Sequence, residues 1–292
     1  CALPISVTVS DGTNTGNSSL TISIFSEGIP SQVSNMLPSD SATTLSMPIN
    51  LSWMPANNAT LYDIYIWEVG GSISQFPEFP DQSLINMSLN NQVEYGSSYN
   101  WQVVSKNQCF EVAGPIQNFT LRNLPDIVVN NIQTSPSIFS GQDLAVEWEV
   151  KNIGLGGSLS QTWNDAVYLS NDTVLSSDDT ELGRIQNVSA LDTNESYIQN
   201  QLFYIPATIF GEYYIIVYTD VSNHLLESNN NNNESFDISA AVLTITLPPK
   251  SDLVVNSVGI PNSVFSGNTI NVNYFVENSG FANAIGENRH VS

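Results

Sequence analysis

Leu144-Ala145-Val146-Glu147-Trp148-Glu149-Val150-Lys151 is the stretch whose reading decides the fold. Leu144, Val146, Trp148 and Val150 hold alternate positions, and Glu147, Glu149 and Lys151 fall between them. A period of two puts the apolar set on one face of a strand and the charged set on the other. The stretch is therefore predicted to be a β-strand with one buried and one wet face, the habit of antiparallel sheets. The same alternation runs through Leu20-Thr21-Ile22-Ser23-Ile24 and through Tyr99-Asn100-Trp101-Gln102-Val103, where Tyr99, Trp101 and Val103 are the predicted buried set. Glu212 to Thr219 is apolar on both faces, as a central strand covered on both sides, or partly by a neighbouring module, would be. Turn residues such as Asp11-Gly12-Thr13-Asn14 and Gly154-Leu155-Gly156-Gly157 break the strands at short intervals, and no long helical period competes. Many short strands between turn signals predict an all-β sandwich or barrel.

Outward from that stretch, the sequence repeats. Asp126-Ile127-Val128-Val129-Asn130 is matched by Asp252-Leu253-Val254-Val255-Asn256, and the register holds without a gap to Gly154 and Gly280. Ser137, Phe139, Ser140, Gly141, Val146, Val150 and Asn152 recur as Ser263, Phe265, Ser266, Gly267, Val272, Val276 and Asn278, with Tyr274 in place of Trp148. A repeat of about 125 residues is long enough for each unit to close its own core, unlike the shorter repeats of a solenoid. Tandem domains are expected, the second copy being cut short at Ser292. Prolines mark the joints at Gly28-Ile29-Pro30, Leu124-Pro125 and Leu247-Pro248-Pro249-Lys250. The paired prolines predict a short, stiff spacer, and a string of such units an extended rod.

Composition bounds the function. The chain has 292 residues, enough for about two domains. Charged residues make up 12%, half the usual ~25%, and the deficit is basic: six Lys and Arg face 28 Asp and Glu, a formal charge of −22. Phosphate backbones are bound through Lys and Arg, so nucleic acid is excluded as a partner, and anionic membranes are disfavoured for the same reason. The longest apolar runs, such as Tyr213 to Tyr218, fall far short of the ~20 residues of a membrane helix, so no membrane insertion is expected. Cys1 and Cys109 form neither a redox motif nor a zinc knuckle, and a disulfide framework is absent. The Asn- and Ser-rich, Lys-poor composition points to an extracellular or cell-surface location. A first residue of Cys, with no leader ahead of it, is expected of a processed product or of a piece of a longer protein. A lipid-anchored cysteine is the alternative, against which Ile5-Ser6-Val7-Thr8-Val9 alternates at once like a strand.

Residues 28–123 resemble a fibronectin type III-like module. The resemblance rests on Pro38 to Thr43 leading into Leu51-Ser52-Trp53, on Ala59 to Trp67, and on Gly96-Ser97-Ser98-Tyr99-Asn100-Trp101-Gln102-Val103 with Lys106-Asn107 after it. It implies that Trp53 is a core tryptophan and that Tyr99 sits at a tyrosine corner, its hydroxyl bonded to backbone. Residues 124–248 are similar to a CARDB module, the cell-adhesion-related domain found in bacteria, on Pro125 to Val129, Ser140-Gly141-Gln142, Val150 to Gly154, Trp163 to Ser170, Asp178 to Gly183, Gly211 to Tyr214, Asp220 to Asn223 and Glu227. Asn229 to Asn233 departs from the family pattern in its length and uniformity. Residues 249–292 resemble the start of another such module, and residues 1–27 are read as the last strands of a preceding β domain. The fold class is then tandem immunoglobulin-like and fibronectin III-like β-sandwiches.

Candidate chemistry is sparse. Asp172, Asp178, Asp179 and Glu181, with Asp165 upstream, fall in and around one predicted loop. Several carboxylates and loop carbonyls are the oxygen ligands that calcium takes, so these four are the candidate metal ligands. Their spacing is no EF-hand, and Asp and Ser also dominate turns by bonding nearby amides, which is the plainer reading. Glu227 and Glu234 flank the Asn run as a weaker candidate. His224 and His290 are the only histidines; without a Gly-x-Ser-x-Gly elbow, His224 reads as a surface loop residue. Trp67 and Trp163 are candidate sugar-stacking platforms, Trp163 the better placed to show an edge, with core packing as the default. No catalytic or cofactor-binding residue is assigned. The expected function is a non-catalytic adhesion or spacer segment with an extracellular protein or glycan as partner. The alternatives are accessory modules of a secreted hydrolase and a calcium-dependent glycan- or protein-binding module.

Overall fold

The computed structural model describes residues 28–159, 162–187, 189–236 and 242–282. The strands expected at Ile5–Val9 and Leu20–Ile24, together with Cys1 and His290, lie outside the described residues. Among the described residues every regular element is a strand, and no helix is long and apolar enough to cross a membrane. The chain divides into two compact units. One holds the residues up to Asp126 with Ile153–Leu159 and Leu226–Ser228, and the other holds 127–152, 160–225 and the residues from 229 on.

The first unit contains Ser34–Leu37 (β1), Ala42–Leu45 (β2), Ile49–Met54 (β3), Leu61–Glu68 (β4), Phe79–Gln82 (β5), Asn86–Leu89 (β6), Ser98–Lys106 (β7) and Glu111–Leu121 (β8). One sheet runs β1-β3-β6 and the other β2-β8-β7-β4-β5, with β2 parallel to β8. Alternate residues of both sheets make one core, so the two form an immunoglobulin-like sandwich. Tyr99, Trp101 and Val103 point inward as their spacing predicts. Trp53 meets Tyr62 edge-on at 5.5 Å between ring centres, a favoured aromatic geometry. The Tyr62 hydroxyl accepts the Ala56 N–H at 3.0 Å, and the Tyr99 hydroxyl accepts the Glu94 N–H at 2.9 Å. The second of these is the backbone bond expected of a tyrosine corner. Where β4 begins and β7 ends, the Lys106 Nζ lies 2.6 Å from both the Asp63 and Asp81 carboxylates and ties β5 to the pair.

The second unit contains Ile127–Thr134 (β9), Ser137–Phe139 (β10), Asp143–Asn152 (β11), Asn164–Ser170 (β12), Thr180–Gln186 (β13), Ser196–Tyr204 (β14), Gly211–Tyr218 (β15), Glu234–Phe236 (β16), Leu243–Thr246 (β17), Leu253–Gly259 (β18) and Asn273–Asn278 (β19). The stretch quoted first is β11, the middle of the sheet β14-β11-β9, with Leu144, Val146, Trp148 and Val150 all buried. A second sheet runs β10-β17-β15-β12-β13, with β16 also on β15, and inward residues of both sheets share one core. β15 is bonded on both edges, to β12 on one side and to β16 and β17 on the other. Its consecutive residues Ile215, Ile216 and Val217 are all buried, so both faces of the strand are covered, Ile215 and Val217 lying in the shared core.

The repeat is also a repeat of geometry. β9 and β11 pair with one extra residue, Asn130, where the register steps from Val129↔Val150 to Asn131↔Glu149. β18 and β19 step at the matching place, from Val255↔Val276 to Ser257↔Phe275, leaving Asn256 extra. Bulges of this kind set local twist. In the first copy the Ile153 N–H donates to the Asp126 carbonyl at 2.8 Å, and in the second the Ser279 N–H donates to the Asp252 carbonyl at 2.7 Å. A Cβ on Gly154 would stand 2.5 Å from the Asp126 nitrogen, and one on Gly280 would stand 2.4 Å from the Asp252 nitrogen, so only glycine fits either place. The copies differ in cover: Trp148 is 0% exposed and its counterpart Tyr274 69%.

Candidate functional site

The acidic loop joins β12 to β13, and its carboxylates are used one at a time. Asp172 Oδ1 accepts the Val174 N–H at 2.8 Å, and Asp179 Oδ2 accepts the Ser176 N–H at 2.7 Å. The Ser176 hydroxyl donates to Asp178 and holds that exposed carboxylate below its ordinary pKa. Glu181 lies on β13 and takes a two-pronged bond from Arg184, Nε to Oε1 at 2.8 Å and a second guanidinium nitrogen to Oε2 at 2.9 Å. The Arg184 hydrogen bonds lower the Glu181 pKa. These are bonds over two or three residues, the turn chemistry of Asp and Ser. Among the described residues no three acidic, His or Cys side chains gather where they could hold a metal ion.

Asp165, read as the upstream member of that loop, lies in the core of the second unit at 0% exposure. It shares a face of β12 with Val167 and Leu169, and that phase points inward. Asp165 Oδ2 accepts the Trp148 indole N–H at 2.9 Å and the Tyr197 hydroxyl at 2.6 Å, while Oδ1 accepts the Thr219 hydroxyl at 2.7 Å. The Trp163 indole N–H donates in turn to the Tyr197 oxygen at 3.1 Å. Burial raises the Asp165 pKa, opposed by the bonds from Tyr197, Trp148 and Thr219. Burial and the neighbouring carboxylate push the Tyr197 phenol far up, so it stays a donor. Every partner of Asp165 in this cluster is a donor, which suits an ionised carboxylate pinning β11, β12, β14 and the end of β15 together. The signal for this cluster was present in the sequence, because Tyr197 is in phase with Phe203, and Thr219 with Ile215 and Val217.

Trp163, the better placed of the two tryptophans to show an edge, shows none, and the default of core packing holds. At 0% exposure, with its ring tilted against Tyr197 at 6.2 Å, it is a core residue. Its phase with Asp165 and Val167 turns it inward although it stands beside a loop. Trp67 is half-buried on β4, beside a shallow groove of about 300 Å³ that Glu78, Asn91, Gln92 and Glu94 also line. His224 is exposed in the loop after β15. Its backbone N–H and that of Leu225 donate to the two oxygens of Asp220 at 2.9 and 2.8 Å. Asp220 is buried, which raises its pKa. Glu227 is buried and Glu234 exposed, on either side of the Asn run, whose Asn233 carbonyl accepts the Thr219 N–H at 2.9 Å. Cys109 is a free, half-buried thiol in the turn between β7 and β8.

Residues 124–236 match the CARDB family, so a single CARDB domain is found within the chain. No curated protein matches the chain. Among solved structures it is similar to a CARDB domain from Pyrococcus furiosus crystallised in complex with di-metal ions. The identity is 22%, over 44% of this chain and 100% of that one, with a TM-score of 0.33. A solution structure of a CARDB domain from the same organism gives 23% identity, 43% and 98% coverage and a TM-score of 0.32. The FN1–FN3 domains of chicken CNTN1 are similar at 12% identity, over 85% of this chain and 76% of that one, with a TM-score of 0.27.

Proposed function

We propose that this chain is a non-catalytic adhesion or spacer segment made of β-sandwich modules in series, working outside the cell or on its surface. In this reading residues 28–123 are a fibronectin type III-like module, 124–248 a CARDB module and 249 onward the start of a second CARDB-like one. The observation that carries it is the hairpin β18–β19, which repeats the bulge, the loop bond and the glycine contact of β9–β11 at the same spacing. Serial modules are the architecture that displays a binding surface at a distance, and the charge of −22 keeps neighbouring chains apart. The partner is an extracellular protein or glycan, and no cofactor is required.

Two experiments test this. Residues 157–248 appended after Ala282 complete the second copy in the register of the first. Protection of the Val255, Tyr274 and Val276 amides from hydrogen exchange is expected, and its absence overturns the serial reading. Beads coated with the chain are expected to be captured by immobilised matrix proteins or glycans without consuming them, and turnover of any of these by the purified chain overturns the non-catalytic part. The groove beside Trp67 favours a glycan as the partner, since a half-buried indole flanked by Asn91, Gln92 and Glu78 offers a stacking face with hydrogen-bonding groups. Trp67→Ala is then expected to abolish capture by glycans while the first unit still folds and melts cooperatively, at a somewhat lower temperature.

A further inference from the structure

Among the described residues β14 is an edge strand, and its own sequence carries none of the usual protection. It bonds to β11 along nine consecutive pairs, from Asp143↔Tyr204 to Lys151↔Ser196, without a bulge. Among the described residues no strand pairs with its other edge. Its sequence, Ser196-Tyr197-Ile198-Gln199-Asn200-Gln201-Leu202-Phe203-Tyr204, holds no charge and no proline, the devices that keep open edges from pairing. The inward position Phe203 serves the core, where a Cβ on Gly183 of β13 would stand 3.0 Å from its ring. Three of its five outward positions are apolar and bare, Ile198 at 65% exposed, Leu202 at 67% and Tyr204 at 59%, with the polar Ser196 and Asn200 between and beside them. The next strand supplies the charge. Asp143, Glu147 and Glu149 point outward from β11 opposite Tyr204, Asn200 and Ile198. Glu149 is kept ionised by hydrogen bonds from Asn130 and Ser196, and Glu147 accepts the Asn200 amide at 3.1 Å.

We propose that the open edge of β14 binds an extended, basic segment of another protein as an added strand. This adds a protein ligand to the adhesive reading, at a surface separate from the groove beside Trp67, and rests on that reading for its use in the cell. Successive strands lie about 4.8 Å apart, so outward side chains of an added strand stand beside Ile198, Leu202 and Tyr204 and about 10 Å from the carboxylates of β11. Lys and Arg fit both features, laying apolar stems over Ile198 and Leu202 and carrying their heads to Glu147 and Glu149. A second copy is the poorer occupant. Its β14 has no cation to offer, and pairing would bring two rows of carboxylates together.

The test uses the full chain and a fluorescein-labelled peptide of alternating Arg and Val, with a Glu and Val peptide as control, read by anisotropy. The basic peptide is expected to bind and the acidic one not. Binding is expected to weaken about tenfold in the Ile198→Ser, Leu202→Ser double variant and in the Glu147→Gln, Glu149→Gln double variant, and between about 0.05 and 0.3 M salt. The β14 amides that face the open edge, alternating with those already bonded to β11, are expected to become protected from hydrogen exchange only in the complex. No binding at about 1 mM peptide overturns the proposal, as does binding that survives the apolar substitutions or leaves β14 unprotected, which is diffuse attraction to net charge. Self-association of the chain alone that Ile198→Ser, Leu202→Ser abolishes overturns it in favour of a second copy. Capture of the coated beads with no peptide binding removes this surface and leaves the adhesive reading standing.

Discussion

Replacing Asp165 by Ala removes one buried acceptor from three buried donors, the Trp148 indole, the Tyr197 hydroxyl and the Thr219 hydroxyl. An orphaned buried donor costs about 1–3 kcal/mol, so the gross loss is about 3–9 kcal/mol. Against it stands the relief of no longer holding a carboxylate away from water, worth several kcal/mol. The two hydroxyls can turn, and Tyr197 still accepts from Trp163, whereas the Trp148 indole has no such freedom. These terms place the net loss near the low end, about 3 kcal/mol. Asp165→Asn keeps a carbonyl oxygen for Trp148 and Tyr197 and presents its amide to a Thr219 hydroxyl able to accept, so it is expected to cost under about 1 kcal/mol. The assay is urea unfolding of the whole chain by tryptophan fluorescence, with Trp53 and Trp101 reporting one core and Trp148 and Trp163 the other. With a slope of about 2 kcal/mol per molar urea, the Ala variant moves the transition of the second core by about 1.5 M and leaves that of the first in place. The pH dependence supplies a second reading. The folded-state pKa of Asp165 is raised above the ordinary 3.8, so the folded state binds that proton more tightly than the unfolded one. Its contribution to stability is therefore fully present below 3.8, falls as pH rises through the raised value and is flat above it. The Asn variant loses that slope and gains on the wild type as pH rises through the same window. A shift under about 1 kcal/mol for Ala, or equal losses for Ala and Asn, would refute the reasoning.

Gly154→Ala places a methyl 2.5 Å from the Asp126 nitrogen and 2.6 Å from the Pro125 carbonyl carbon, both backbone, and is expected to cost about 1–3 kcal/mol in a thermal melt. Burial alone would lower the Lys106 pKa, but hydrogen bonds to Asp63 and Asp81 outweigh it and raise it above 10.5. The stability from this cluster is thus fully present below pH 10.5 and lost as pH rises through the raised value, an alkaline step that Asp63→Asn is expected to abolish in melts of the first unit. Removing residues 250–292 takes away the exposed apolar residues of β18 and β19, and light scattering is expected to show less self-association than in the full chain. Millimolar calcium is expected to leave the melting temperature where EDTA leaves it, because Asp172, Asp178, Asp179 and Glu181 are each engaged locally. A site saturated a hundredfold would add about 2.7 kcal/mol, and a rise of that size lost in Asp178→Asn, Asp179→Asn would establish the loop as a metal site.

Much of the fold was legible because strand periodicity is local. The alternation around Trp148 assigned the buried face of β11, the two-sided apolar run assigned β15 to the middle of its sheet, and Tyr99 took the backbone bond that its motif implies. Asp165 was grouped with the acid loop, and Trp163 was weighed as a sugar platform, for one reason. Their phase with Val167 and Leu169 turns both inward, but a tryptophan beside a loop and an aspartate near other acids invite a reading by residue type. The acid loop was readable as turn chemistry, since its bonds span two or three positions.

The residues by themselves determined which side chains share a face and where the pattern begins again, because both depend on neighbours along the chain. Only the tertiary structure decided that Asp165 is met by three donors 17, 32 and 54 positions away. It also decided that β14 rather than β11 stands at the edge of its sheet with Ile198 and Leu202 bare. Strand order and the partners of an inward polar group are set by pairing between segments distant in sequence, and no local period records that pairing.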